Sequence, residues 1–359
     1  MNERELAEYN VGENLDQIMN LDPRGYGVCR ILYAGSRAYT GEATTIHCAK
    51  ELDALLQPGD VVFLITGFIL RPHKHPETDG SVSTVLLARG LIQAYGVTPV
   101  IICPEENRPA FANMVREAGL HLYDGIKEAA ELPLSVGIVA FTKDMDGASA
   151  QAEQLLEEGN PRAVISNEAP GANVCGEYHN AVGVNCTELE AKMDVLFRLA
   201  KERGIWNMAI GDLGNEIGMG AIKEHILQYI PYAGAGECSC GCGGGILADS
   251  AADHIITATV SDWGCYGLLA ATAYLKGDIS IMHTEEMEES VLKAASQNGL
   301  VDMTGSLLPG IDGFDCRMNR TIVSLMRQCV EYSLGYKNEK WFEVTLQKEF
   351  FQQNLKKAL

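Results

Sequence analysis

No apolar run in this 359-residue chain approaches the ~20 residues that a membrane-spanning helix needs. The longest, Val61 to Leu70, is about half that length and is broken by Thr66 and Gly67. The N-terminus, Met-Asn-Glu-Arg-Glu-Leu, is polar and acidic, unlike a secretory signal or an arginine-rich transit peptide. A soluble cytoplasmic protein with no membrane partner is the expectation. Positive charge is also scarce: 28 lysines and arginines face 48 aspartates and glutamates, giving a formal net charge of −20 with no basic cluster to offset it. Such a surface repels a phosphate backbone, so no nucleic-acid partner is expected. A Gly-x-Gly-x-x-Gly fingerprint and a Gly-Lys-Ser/Thr element are both missing, which argues against NAD and against a P-loop nucleotide. No Pro/Gly/Ser linker, repeat or charge block marks a boundary. Residues 1–359 therefore read as a single α/β domain, with peripheral helical segments over the first ~20 residues and after Tyr336.

What is present is an alternation of two patterns. Val61 to Thr66, Val97 to Cys103, Leu134 to Thr142, Ala163 to Ser166, Ile205 to Gly211 and His254 to Val260 are short, nearly continuous apolar runs. Continuity rather than alternation marks strands covered on both faces. Amphipathic helices are predicted over Thr44 to Leu56, Val82 to Tyr95, Arg108 to Ala118, Ala148 to Glu158, Glu188 to Arg203 and Ile217 to Ile230. Three more follow, over Trp263 to Leu275, Thr284 to Gln297 and Asn319 to Tyr332. The fold class is α/β: a doubly wound, mostly parallel, Rossmann-like three-layer sheet with helices on both faces. Ligands of such sheets sit where loops converge beyond the carboxyl ends of the strands.

Four of those loops carry chemistry. Gly211-Asp-Leu-Gly-Asn-Glu-Ile-Gly-Met-Gly220 places Asp212, Asn215 and Glu216 among four glycines, a set suited to a hard cation such as Mg or Mn or to an ammonium group. A helix starting near Ile217 would aim the N–H groups of Gly218 to Gly220 at an anion. Thr66 to Gly80 contains Arg71, His73, Lys74 and His75, a cationic stretch able to meet a carboxylate, and closes on Glu77 and Asp79. Glu168-Ala-Pro-Gly171, followed by Tyr178, His179 and Asn180, offers a carboxylate and several hydrogen-bonding groups. Ser261-Asp262-Trp263-Gly264 reads mainly as a helix cap, by Ser261 or Asp262.

The eleven cysteines are mostly scattered singly in apolar surroundings, as reduced thiols are. Cys238-Ser-Cys240-Gly-Cys242, ahead of three glycines, differs. It reads first as a glycine-rich loop, with a soft-metal ligand set or a reactive thiol as alternatives. Zinc sites usually draw Cys-x₂₋₄-Cys pairs from two places, and no second pair is present.

Taken in order, Thr66-Gly-Phe with Pro76-Glu-Thr-Asp-Gly80, Glu168-x-Pro-Gly171 with Tyr178-His-Asn180, Gly211-Asp-x-Gly-Asn-Glu-x-Gly-Met-Gly220 and Val260-Ser-x-Trp-Gly264 resemble the C-terminal domain of the D-glutamate cyclase family. The resemblance runs from about Arg24 to Tyr332 and ends with Ile311-Asp-Gly313. It implies a hydro-lyase that turns D-glutamate into 5-oxo-D-proline and water, or acts on a related small acidic substrate. Against the family's pattern Leu213 stands for a glycine, Ala169 for a basic residue and Asp262 for an amide. The last two make the site more negative, so a divalent cation or Arg71 would have to compensate. The chemistry needs a base, an acid and donors for an oxyanion. Glu216 and Asp212 are the candidates for base or metal ligand, with Glu168 as a third catalytic carboxylate. Gly218, Gly220, Asn215, Glu77, Asp79, Arg71, Tyr178, Asn180 and Ser261 are the candidates for holding substrate. In the animal enzymes of the family this domain follows a second one. A separate partner protein supplying that domain, or a homo-oligomer, is therefore also expected, and a non-catalytic metabolite-binding module is the alternative reading.

Overall fold

Each long strand divides its side chains between two apolar clusters, which is why the runs lack polar alternation. In β1 (Val61–Thr66), Val62 and Leu64 enter one cluster while Phe63 and Ile65 enter the other. The computed structural model describes residues 3–335 together with 348, 349 and 353, so the helical segment expected after Tyr336 lies almost wholly outside them. Before β1 come α1 (Glu3–Met19), α2 (Val28–Thr40) and α3 (Thr44–Leu55). After it come a small hairpin, β2 (Ile69–Leu70) with β3 (His75–Pro76), then α4 (Ser81–Tyr95), β4 (Thr98–Cys103) and α5 (Arg108–Glu117). The middle of the chain forms β5 (His121–Asp124), α6 (Lys127–Glu131), β6 (Ser135–Ala140), α7 (Met145–Gly159), β7 (Ala163–Asn167) and α8 (Met193–Glu202). Next are β8 (Trp206–Gly211), α9 (Lys223–Tyr229), β9 (His254–Thr257), α10 (Ser261–Lys276) and α11 (Glu285–Gln297). A second small hairpin, β10 (Gly310–Ile311) with β11 (Phe314–Asp315), leads into α12 (Cys316–Gly335).

The central sheet has seven strands in the order β5-β6-β4-β1-β7-β8-β9, and every neighbouring pair is parallel. One face carries α1, α3, α4, α5, α10, α11 and α12, and the other carries α7, α8 and α9. This is the three-layer α/β arrangement expected from the sequence. The chain builds outward from β1 through β4 to β6, then returns to lay β7 on the other side of β1 and continues through β8 to β9. Its direction reverses between β1 and β7, the crevice where parallel sheets take ligands.

Several expectations change. β5 is an extra edge strand, half-exposed and therefore without an apolar run. α2 is an extra helix. The helix expected from Ile217 begins only at Lys223, after a tight turn over Gly220–Ile222, and the one expected from Glu188 begins at Met193. The first helix is not peripheral: Leu15 and Met19 are fully buried in the core beside α3 and α10.

Candidate active site

Beyond β8 the chain turns back on itself around one side chain. Glu216 accepts the backbone N–H groups of Asp212 (3.0 Å) and Leu213 (2.8 Å) on Oε1 and that of Gly214 (2.8 Å) on Oε2. A Cβ on Gly211 would lie 2.9 Å from this carboxylate, so the strand ends in glycine. The far side of the loop is held by Ser250, which takes the Gly218 N–H on its hydroxyl and the Gly220 N–H on its carbonyl, both at 2.9 Å. This corrects the expected anion site. No helix starts at Ile217, and the Gly218 and Gly220 amides already have partners.

The segment after β7 lies against that loop, with the Gly171 N–H donating to the Asn215 carbonyl (2.9 Å) and the Ile217 N–H to the Ala169 carbonyl (2.8 Å). Glu168 and Glu216 are thereby brought to one rim. Glu168 holds a left-handed backbone, φ 45°, which costs energy for a side-chain-bearing residue. Its carboxylate accepts a 2.6 Å bond from the Ser261 hydroxyl at the start of α10. Gly80 faces its Cβ so closely that a methyl group there would sit 2.4 Å away.

The Glu77–Asp79 segment reaches the same rim. The Thr78 N–H donates to the Val301 carbonyl (2.9 Å) and the Thr78 hydroxyl to that of Gly310 (2.8 Å). Asp79 and Asp262 then exchange helix ends. Asp262 accepts the N–H groups of Gly80 and Ser83 at the start of α4, and Asp79 accepts the Asp262 N–H at the start of α10. Asp262 is therefore a cap, as expected, but of a different helix from its own.

One oxygen each from Asp79, Asp212 and Asp312 lies within 4.8 Å of the others, and the same holds for Glu168, Asp212 and Glu216. Asp312 was not a candidate from its spacing, and neither was its partner Arg24. The Arg24 guanidinium pairs with the Asp312 carboxylate and donates to the carbonyls of Asp312 (2.8 Å) and Thr259 (2.8 Å). The Ile311-Asp-Gly313 motif was the available signal for Asp312. Arg24 had none, since it belongs to no strand-end loop. Burial, then the neighbouring carboxylates, raises Glu77, Glu168 and Asp212 well above the ordinary range. Burial and the hydrogen bond with Asp262 do the same for Asp79. Burial also raises Asp312, against the opposing charge of Arg24. The rim thus holds carboxyls that keep their protons to higher pH than an exposed acid does. Thr66 Oγ1, Asn215 Oδ1 and Thr259 Oγ1, on the same loops, are buried oxygens without hydrogen-bond partners among the described residues. Two surface clefts, around Arg320 and around Arg108, share no residue with this set.

Three candidates are engaged with other partners. Arg71 sits on the β2–β3 turn, bonded to the Asn185 carbonyl and 3.6 Å from Glu188. Tyr178 is fully buried with Phe68, Ala172 and Cys186, and its hydroxyl is bonded to Asp194. Asn180 folds its own turn by accepting the N–H groups of Val182 and Val184. Asn215, in contrast, stays on the rim, donating from Nδ2 to the His179 carbonyl (3.0 Å).

Comparison with known proteins agrees with the loop motifs. The human mitochondrial D-glutamate cyclase is 27% identical over 290 residues, which cover 77% of this chain. That stretch is 41% of the human protein, so the chain spans about two fifths of its length. The profile of the family described as "D-glutamate cyclase-like, C-terminal" matches residues 15–327. With that match running from α1 to α12 and taking in every loop of the acidic rim, the chain belongs to the D-glutamate cyclase-like C-terminal family.

Proposed function

We propose that this chain is a hydro-lyase that cyclises D-glutamate to 5-oxo-D-proline, or performs the same ring closure on a related amino dicarboxylate. The observation that carries the reading is the gathering of Glu168, Asp212 and Glu216, from two separate loops, into one buried set at the switch point of the sheet. Ring closure joins the α-nitrogen to the carbon of the γ-carboxyl group (Cδ) and breaks one of that carbon's bonds to oxygen. The two protons shed by the ammonium nitrogen leave on the departing oxygen as water. A site for this reaction needs a carboxylate that accepts a proton from nitrogen and a carboxyl that delivers one to oxygen. Glu168, steadied by Ser261, and Asp212 are the proton carriers, because both are held well above the ordinary carboxylate range. Glu216 is a positioning residue: its oxygens fold the loop that presents Asp212. Glu77 and Asp79 would receive the ammonium end, and Arg24 supplies positive charge beside Asp312.

The donor set also fits a hard divalent cation such as Mg or Mn, since Asp79, Asp212 and Asp312, or Glu168, Asp212 and Glu216, offer only oxygens at mutual reach. The buried oxygens of Thr66, Asn215 and Thr259 would add neutral ligands or water contacts. When bound, the cation supplies charge neutralisation and Lewis acidity toward the γ-carboxylate.

The test is incubation of the purified chain with D- or L-glutamate, with and without Mg²⁺ or Mn²⁺, with detection of 5-oxoproline. Formation of 5-oxoproline from one enantiomer supports the reading, and no product under any condition overturns it. The alternative is a binding module for a small acidic metabolite that works with a separate catalytic partner. An equimolar co-purifying protein, with turnover only in its presence, would select that alternative.

A further inference from the structure

Residues 230–253 join α9 to β9 without a helix or strand, a length of irregular chain that compact domains rarely leave unsupported. Gly241 and Gly243, both at positive φ, curl the middle of this segment so that Cys238, Cys240 and Cys242 face one point. Their sulfurs lie 3.6 Å (Cys238 to Cys240) and 3.4 Å (Cys238 to Cys242) apart, and all eleven cysteines are free thiols. A fourth donor arrives from the turn after β7: His179 Nε2 lies 3.1 Å from Cys240 Sγ and 3.9 Å from Cys242 Sγ. All four donor atoms are within 4.8 Å of one another. A tetrahedral zinc ion, with bonds of ~2.3 Å to sulfur and ~2.0 Å to nitrogen, sets its donors roughly 3.5–3.8 Å apart. The observed separations bracket that spacing. The sequence lacked a second cysteine pair, and the histidine replaces it.

We propose that His179, Cys238, Cys240 and Cys242 form a closed structural zinc site. Zn²⁺ binding releases the thiol protons and leaves three thiolates and one neutral imidazole around the ion. Supporting contacts are already arranged. Asn173 Nδ2 (3.5 Å) and the Gly244 N–H (3.4 Å) point at Cys242 Sγ, as donors to a thiolate do. The other ring nitrogen, His179 Nδ1, lies 3.5 Å from the same Asn173 Nδ2. The ion would clamp the irregular segment onto the 173–180 turn, whose His179 carbonyl receives Asn215 of the acidic rim. It would therefore hold one wall of that rim without touching substrate. Cys175 is exposed and outside the set, which makes it the control thiol.

The experiment is metal analysis of the full chain as purified, followed by exchange into Co²⁺. About one zinc per chain is expected, with intense visible bands and thiolate charge-transfer absorption once cobalt is tetrahedrally bound. Cys240→Ser and His179→Ala should lower zinc content at least tenfold, while Cys175→Ser and Asp212→Asn should keep it. Hydrogen exchange of residues 236–245 should quicken at least tenfold on chelation. Wild-type protein that contains no zinc and gives no thiolate–cobalt absorption overturns the proposal. So does an iron–sulfur chromophore in its place, or stoichiometric zinc in both the Cys240 and His179 variants. None of these outcomes depends on turnover, so the cyclase reading stands or falls separately.

Discussion

Replacing Glu216 by glutamine separates two roles that a carboxylate in this position could have. The side chain is wholly buried and accepts three backbone N–H groups, two on Oε1 and one on Oε2. Glutamine has nearly the same shape but only one acceptor oxygen. With that oxygen facing Asp212 and Leu213, the amide NH₂ meets the Gly214 N–H, donor against donor. Each hydrogen bond to a charged acceptor contributes about 1.5–3 kcal/mol, and a buried unsatisfied donor costs about 1–3 kcal/mol. A loss of roughly 3 kcal/mol follows from the single mismatch and the weakened pair. Unfolding entropy of ~2.1 cal/mol/K per residue over 359 residues converts this to a fall of about 4 °C in Tm. Calorimetry gives the Tm, and hydrogen exchange on Asp212, Leu213 and Gly214 shows whether the loss is local. A purely chemical role for Glu216 would leave Tm and protection unchanged while turnover disappears, and that result would refute the argument.

Glu168→Gln should lower cyclisation by about 10²–10⁴-fold with the fold intact, as read by 5-oxoproline formation and circular dichroism. Gly80→Ala should destabilise the protein by about 2 kcal/mol or more, because φ is +72° and the new methyl would meet Glu168 Cβ at 2.4 Å; urea denaturation measures this. Mn²⁺ should bind the acidic rim and raise Tm, and Asp212→Asn should weaken that binding at least tenfold by titration calorimetry. Burial pushes Glu190 up to about 8, above its unfolded value of 4.5, despite the opposing Ile69 N–H and the charges of Lys143 and Lys192. The folded state therefore holds the extra proton, and stability falls as pH rises through that window, by about 1.4 kcal/mol per unit. Glu190→Gln should flatten this slope between pH 5 and 8 in chemical denaturation, and an unchanged slope would reject the assignment.

The sheet was legible because buried parallel strands announce themselves as apolar runs, and β1, β4, β6, β7, β8 and β9 all lie within the runs named or one residue beyond. β5 escaped because an edge strand needs no such run, and its His121 and Asp124 are exposed. The helix expected over Ile217 to Ile230 starts late because Ile217 and Met219 are fully buried in the loop itself. The rim acids from strand-end loops were found by position alone. Arg24 was not, since an ion pair across 288 residues leaves no local trace. For the same reason His179 stood as a bare hydrogen-bonding group until the fold set it beside three thiols.

The Arg24–Asp312 pair has a consequence for biosynthesis. Asp312 is made 288 residues after Arg24, and after every other carboxylate of the rim. Until then those acids repel one another with Asp312 and its salt link missing. Ribosome-bound fragments ending before residue 312 should carry a formed sheet around an open, unfinished cleft, because the ion pair that completes this centre needs both ends of the fold.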